Sequence, residues 1–152
     1  MKVVIIWCKL ITRMSSNAEN FILAIDPGRD KCGLAVLGGD GRILFKAIAA
    51  NGDFRQALHE LIILYRPVKI ALGDGTGSGD IKSIAKELYQ GSVVSVPEKD
   101  STLEARDLAW ESHPPTGIVK FLPKVFWPVP DELDAWAAVV IGRRALDSSP
   151  LD

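Results

Sequence analysis

Asp26, Glu98 and Asp134 are the residues whose type and setting best suit them to act together. Asp26 ends the apolar run Phe21-Ile22-Leu23-Ala24-Ile25, Glu98 follows Val93-Val94-Ser95-Val96-Pro97, and Asp134 opens the amphipathic stretch Asp134-Ala135-Trp136-Ala137-Ala138. An acid directly beyond a strand-like segment sits at the strand's mouth, and three such acids from distant parts of one sheet can converge there. Crowded carboxylates repel one another unless cations lie between them. An all-oxygen donor set suits magnesium or manganese rather than zinc. Two such ions, roughly 4 Å apart, activate water and stabilise the leaving oxygen in phosphodiester cleavage. Each acid alone also has a plainer reading. Asp26-Pro27-Gly28 is turn chemistry, Glu98 is a solvated loop charge, and Asp131, Glu132 and Asp134 complement a helix dipole. No serine–histidine or cysteine–histidine arrangement competes, since His59 falls on an expected helix and His113 precedes two prolines.

A sheet must hold these acids. Phe21–Ile25, Gly33–Leu37 and Arg42–Ala47 read as three strands. The turn signals Asp26-Pro27-Gly28 and Gly38-Gly39-Asp40-Gly41 join them into an antiparallel meander. Asn51-Gly52-Asp53 offers a cap to a helix carrying Ala57, Leu58, Leu61, Ile62 and Leu64, which Pro67 ends. Val68–Leu72 has the apolar content of a central strand. Ile81, Ile84, Ala85 and Leu88 mark a second helix, and Val93–Val96 a fifth strand. Ser101 and Glu104 have the spacing of a capping box for a third helix. The proline-rich stretch 113–130 reads as an irregular loop, and a last helix runs from near Pro130 or Asp131 to about Leu146. This order predicts an α/β fold with a five-stranded mixed sheet and helices on its faces. The expected domain covers 21–147. Residues 1–20 read as an appendage, disordered or the product of a start site upstream of Met14, and 148–152 as a tail.

With 152 residues, 47% of them apolar and 24% charged, the chain has the composition of one soluble domain with a sizeable core. A net charge of −1 counts against a passive nucleic-acid coat protein. It does not exclude a nuclease, whose own acids lower the charge. Cys8 and Cys32 have no C-x-x-C spacing, so zinc and disulfide frameworks are not expected and a cytoplasmic setting is. The run Val3–Trp7 is too short to span a bilayer, and no membrane partner is expected.

Gly73-Asp74-Gly75-Thr76-Gly77-Ser78-Gly79 lacks the Gly-Lys-Ser/Thr that would close a Walker A motif. Its amides, with the hydroxyls of Thr76 and Ser78, can approach a phosphate; the plainer reading is a strand-to-helix connection. Arg29, Lys31, Lys99 and Arg106 lie in sequence near the expected mouth, as phosphate contacts or as ordinary surface charge. Trp110 and Trp127 are candidates for base stacking, whereas Trp136 belongs to an apolar helix face.

The segment Asp26-Pro-Gly-Arg-Asp-Lys-Cys-Gly-Leu-Ala35 resembles the first motif of the YqgF/RuvC group in the ribonuclease H-like superfamily. Glu98-Lys-Asp-Ser-Thr-Leu-Glu-Ala105 resembles that group's second acidic motif, and Asp134-Ala-Trp-Ala-Ala138 its last; together they span about residues 21–146. The resemblance implies a ribonuclease H-like fold and hydrolysis of phosphodiester bonds dependent on Mg2+, or Mn2+. It makes Asp26, Glu98 and Asp134 the catalytic, metal-binding acids and adds Asp131 as a further metal ligand. The YqgF branch implies maturation of ribosomal RNA precursors, and the RuvC branch implies cutting of four-way DNA junctions. Lys31 stands where the YqgF branch usually has arginine, Gly73-Asp74-Gly75 replaces its Gly-Leu-Pro, and Pro97 stands where an acid often precedes the glutamate. The expectation is a divergent YqgF-like nuclease, monomer or homodimer, acting on structured RNA. The alternatives are a junction-resolving nuclease on branched DNA and a non-catalytic ribonuclease H-like binding module.

Overall fold

Five apolar runs pair into a single mixed sheet. In a computed structural model that describes residues 20–75 and 78–148, the chain forms β1 (Phe21–Pro27), β2 (Lys31–Gly38) and β3 (Ile43–Ala50). These are followed by α1 (Phe54–Tyr65), β4 (Lys69–Gly73), α2 (Ser78–Leu88), β5 (Ser92–Val96), α3 (Ser101–Ser112) and α4 (Leu133–Ser148). The expected appendage 1–20 and tail 148–152 fall almost wholly outside the described residues. The strand order is β3-β2-β1-β4-β5. β1, β2 and β3 pair antiparallel, while β4 pairs parallel to β1 and β5 parallel to β4. This is the expected α/β fold with a five-stranded mixed sheet.

β1 is central and covered on both faces, so its run is continuously apolar: Ile22, Leu23, Ala24 and Ile25 are all fully buried. The two faces are packed differently. Leu23, Ile25, Leu34, Val36, Ile70 and Leu72 meet α1 and α2 through Phe54, Leu58, Leu61, Ile81 and Ala85. On the opposite face, Ala24, Ala35 and Ala71 keep the surface low, and α4 lies down on it with Ala137, Ala138 and Ile141. A Cβ at Gly142 would overlap Leu37 Cδ1, which shows how closely the helix approaches. Because β1, β4 and β5 run parallel, their C-terminal ends share one edge, where ligands of such sheets gather. Asp26, Gly73 and the residues just beyond Val96 meet there.

Local chemistry departs from expectation at three helix starts. The Ser101/Glu104 capping box does not form. Ser101 is the first helical residue and is buried, Asp100 precedes it in a left-handed conformation (φ 62°), and no side chain caps the helix. The backbone compensates, with Ser101 N–H donating to Glu98 O at 2.9 Å. Asp53 takes the N-cap position of α1 without a side-chain bond. α4 starts later than Pro130 or Asp131, because Glu132 turns left-handed (φ 57°) and its carbonyl accepts from Ala135 N–H at 2.9 Å. The stretch 113–130 holds two short 3-10 turns, Gly117–Phe121 and Lys124–Phe126. Among the described residues, no helix is long and apolar enough to cross a membrane.

Candidate active site

Asp26 is the last but one residue of β1 and lies opposite Gly33 in the β1–β2 register. Gly33 in turn faces the backbone carbonyl of Asp134, leaving no space for a Cβ. The first turn of α4 therefore rests directly on β2, beside Asp26, and brings Asp134 with it. The turn after β1 is held by Asn51, whose side-chain amide donates to Arg29 O at 2.8 Å and Gly28 O at 3.4 Å and accepts from Cys32 Sγ at 3.2 Å. Asn51 N–H adds a bond to Asp30 O at 3.0 Å.

Glu98 arrives from β5 and is seated by the loop after β4. Its N–H donates to Asp74 Oδ1 at 3.0 Å, and Asp74 N–H donates to Val96 O at 3.1 Å. Gly73 and Gly75 pack against the carboxyl so tightly that a Cβ on either would overlap it. The Gly75 N–H donates to that carboxylate. The glycines after β4 thus admit an acid. Arg144, near the far end of α4, grips the same loop: Nη1 donates to Pro97 O at 2.5 Å, and Nη2 to Lys99 O at 2.8 Å and Glu104 Oε1 at 2.7 Å.

The electrostatics follow from this crowding. Burial first, and then the charges of Glu98 and Asp134, push the Asp26 carboxyl from its ordinary 3.8 up to about 7. Glu98 is also raised, chiefly by burial and further by Asp74, while the Gly75 N–H and the bond with Asp26 pull it back. The hydrogen bond between the two carboxyls raises Asp26 and lowers Glu98. Asp134 is bound to Lys31, Nζ to Oδ2 at 2.8 Å, and this contact raises the Lys31 ammonium.

Glu98 Oε1 is buried and receives no bond from an N–H or hydroxyl of the protein. What it can accept from is the proton on Asp26 or a cation in its place. The donor chemistry, carboxylate oxygens in a cradle emptied of Cβ atoms, fits a hard divalent ion. Among the described residues, no three His, Cys, Asp or Glu side chains stand in a chelating arrangement. Asp26 and Glu98 converge, and Asp134 is drawn aside by Lys31.

The remaining candidates divide. Asp131 does not join the acids. The left-handed turn at Glu132 leaves it exposed on a different cavity, of about 460 Å3, lined by Lys46, Trp110, His113, Glu132 and Trp136. There Lys46 Nζ donates to Glu132 at 2.5 Å and lies 4.8 Å over the Trp136 ring. Arg29 and Lys99 are exposed on the two loops flanking the acids. Arg106 is engaged elsewhere, its guanidinium 5.0 Å over the Trp110 ring and its Nε buried without a partner. Thr76 lies outside the described residues, and Ser78 is the first residue of α2. Trp136 is buried, and Trp110 meets Trp127 edge-on at 5.2 Å. Sequence reasoning missed Asn51, Gly33 and Arg144. Only Gly33 left a signal, a residue without a side chain in the strand that pairs with Asp26.

No protein-family model matches the chain, and no curated protein matches it in sequence. Solved structures do resemble it. RuvC of Thermus thermophilus in complex with a Holliday junction substrate superposes with a TM-score of 0.56 at 16% identity, covering 85% of this chain and 96% of that one. A second Thermus thermophilus RuvC structure gives 0.50 with the same identity and coverage. At this identity the likeness shows the fold: the chain has the ribonuclease H-like fold of these RuvC structures.

Proposed function

We propose that this ribonuclease H-like chain is a divalent-metal-dependent nuclease that hydrolyses phosphodiester bonds of structured nucleic acid in the cytoplasm. The observation that carries the reading is the pairing of the Asp26 and Glu98 carboxyls, from two separate elements, at one edge of the sheet, with the first turn of α4 bringing Asp134 near enough to act on Asp26 by its charge. There burial first, and then the charges of Glu98 and Asp134, raise the Asp26 carboxyl to about 7. A fold does not crowd carboxylates without a return, and perturbed acids gather at functional sites. Asp26 and Glu98 would hold Mg2+ or Mn2+, with Asp134 completing the set once Lys31 releases it. A bound ion supplies an activated water and neutralises charge at the scissile phosphate.

The rest is the chain's own work. Gly73, Gly75 and the Gly75 N–H fix the Glu98 carboxylate, and Asn51 fixes the turn beside Asp26. The proton on Asp26 must leave when a cation binds, so binding releases a proton near neutral pH. Lys31, freed from Asp134, leaves its ammonium at the mouth to meet a phosphate oxygen.

RNA is the first substrate reading, on the motif pattern around Asp26 and Glu98, and maturation of a ribosomal RNA precursor is the role it implies. A four-way DNA junction is the second, favoured by the likeness to a RuvC bound to a Holliday junction. The test is incubation of the protein, beside Asp26→Asn, with labelled single-stranded RNA, a precursor-like RNA stem and a four-way DNA junction. Each is run with magnesium, manganese or chelator. Metal-dependent cleavage that the variant loses supports the nuclease, and the preferred substrate selects between the readings. A folded protein that cuts nothing overturns the proposal in favour of a binding module.

A further inference from the structure

The connection between α3 and α4 turns large apolar side chains outward. Ile118, Phe121, Leu122, Val125, Phe126 and Val129 are all exposed, Phe121 at 79% and Phe126 at 68%. Elsewhere among the described residues, only Ile63, Val68 and Leu103 are exposed large hydrophobics. Such a concentration marks an interaction surface.

The segment is built to present these side chains. Its two 3-10 turns close through Leu122 N–H to Val119 O at 3.1 Å and Phe126 N–H to Pro123 O at 2.9 Å. Trp127 anchors it, edge-on to Trp110 and donating from Nε1 to Leu122 O at 2.8 Å. Trp110 Nε1 donates to Pro128 O at 3.1 Å. The two indoles are committed to holding the segment, and the two phenyl rings are left facing solvent.

Charge identifies the partner. In a chain of net charge −1, residues 114–130 contain Lys120 and Lys124 and no acid. Lys120 Nζ lies 4.9 Å from the centre of the Phe121 ring. Lys124 has one exposed contact, with Asp107 at 3.6 Å, which a phosphate can displace. Each exposed ring thus has an ammonium within two residues of it, the pairing of stacking face and cation that binds unpaired nucleotides. A second copy of the chain fits less well, because a two-fold contact would bring four lysines together with no acid in the segment to balance them. Location separates nucleic acid from an anionic lipid surface. Phe126 is eight residues from Asp134, so the chain itself limits their separation to about 28 Å. That puts these rings within reach of a strand held at the acids, which a lipid surface would not require.

We propose that residues 117–127 bind unpaired nucleotides of the substrate, with Phe121 and Phe126 stacking on bases and Lys120 and Lys124 contacting phosphates. The identity of the polymer rests on the nuclease reading above. The test measures binding of fluorescent oligo(dT) and oligo(U), about 20 nucleotides long, to the full chain in chelator, where cleavage plays no part. Phe121→Ala/Phe126→Ala is expected to weaken binding roughly tenfold or more. Lys120→Ala/Lys124→Ala is expected to weaken it and to reduce the salt dependence by about 1.4 in the log–log slope. All four side chains are exposed, and circular dichroism checks that both variants fold. Unchanged affinity in both variants overturns the proposal, as does a wild type that binds neither oligonucleotide. Binding to anionic vesicles instead, or a wild-type dimer that the phenylalanine variant turns into a monomer, also overturns it. The two readings fail separately. Oligonucleotide binding lost in these variants, in a protein that cuts nothing, leaves the platform standing without the nuclease. Cleavage with unchanged KM in the phenylalanine variant leaves the nuclease without the platform.

Discussion

Replacing Asp26 by asparagine is expected to stabilise the fold above neutral pH when no divalent cation is present. The carboxyl titrates at about 7 in the folded protein, against 3.8 ordinarily, because burial and then the charges of Glu98 and Asp134 oppose its ionisation. Between those values the folded protein keeps a proton that the unfolded chain has lost. Stability therefore falls as pH rises through this window, and the whole penalty is present above it. At about 1.36 kcal/mol per pH unit, the gap corresponds to roughly 4 kcal/mol. Water at the mouth of the sheet screens part of this, leaving an expected difference of about 2–3 kcal/mol. Asn keeps the shape of the side chain and develops no charge. Urea unfolding of both proteins, in chelator at about pH 4 and about pH 8, isolates the effect as a difference between two curves. The variant should match wild type at the lower pH and exceed it by about 2–3 kcal/mol at the higher. A variant less stable than wild type at the higher pH, or a difference that does not change with pH, refutes the account of crowded carboxylates. Magnesium added at the higher pH should recover the wild-type deficit and leave the variant unmoved.

Gly33→Ala drives a methyl group into the Asp134 carbonyl, and denaturant unfolding should show a loss of about 1–3 kcal/mol. Gly73→Ala meets the Glu98 carboxyl, which can swing aside, so the protein should fold normally while its cleavage rate falls on the order of a hundredfold. Asn51→Ala strips the Arg29 carbonyl of its donor; a cost of about 1–2 kcal/mol, with reduced cleavage, is expected in parallel unfolding and activity measurements. Lys31→Met removes the ammonium that competes for Asp134, and titration followed by the Mn2+ electron paramagnetic resonance signal should show tighter binding.

The fold was legible because its signals are local. Asp26-Pro27-Gly28 and Gly38–Gly41 close hairpins over a few residues, and β1 is apolar throughout because it is covered on both faces. The site was legible only as far as strand ends are. That Asp26 and Glu98 lie at one edge follows from parallel β1, β4 and β5, but close approaches between distant residues leave no pattern along the chain. Nothing around Asn51 announces the carbonyls of residues 28 and 29 as its partners. The glycines after β4 suggested room for a phosphate, and the room is taken by Glu98. Asp131 enters only through the family resemblance, as the aspartate three positions before Asp134, and the left-handed Glu132 between them keeps it off the helix that carries Asp134. Arg106 was placed by its nearness in sequence to Glu98, whereas Trp110, one helical turn on, holds its guanidinium.

The long C-terminal helix serves the acids at both ends. Asp134 lies in its first turn, and ten residues later Arg144 clasps the carbonyls on either side of Glu98. At 1.5 Å per residue the two positions are about 15 Å apart, and each further residue would turn one end about 100° against the other. The helix is in effect a gauge block, and its length between these positions is set as strictly as any residue in the site. Side chains along its solvent side are free to drift over evolutionary time, and the β2–β3 turn can gain residues without consequence for the acids. A single residue inserted between Ala135 and Arg143 would leave every carboxylate in the sequence and disperse them in space.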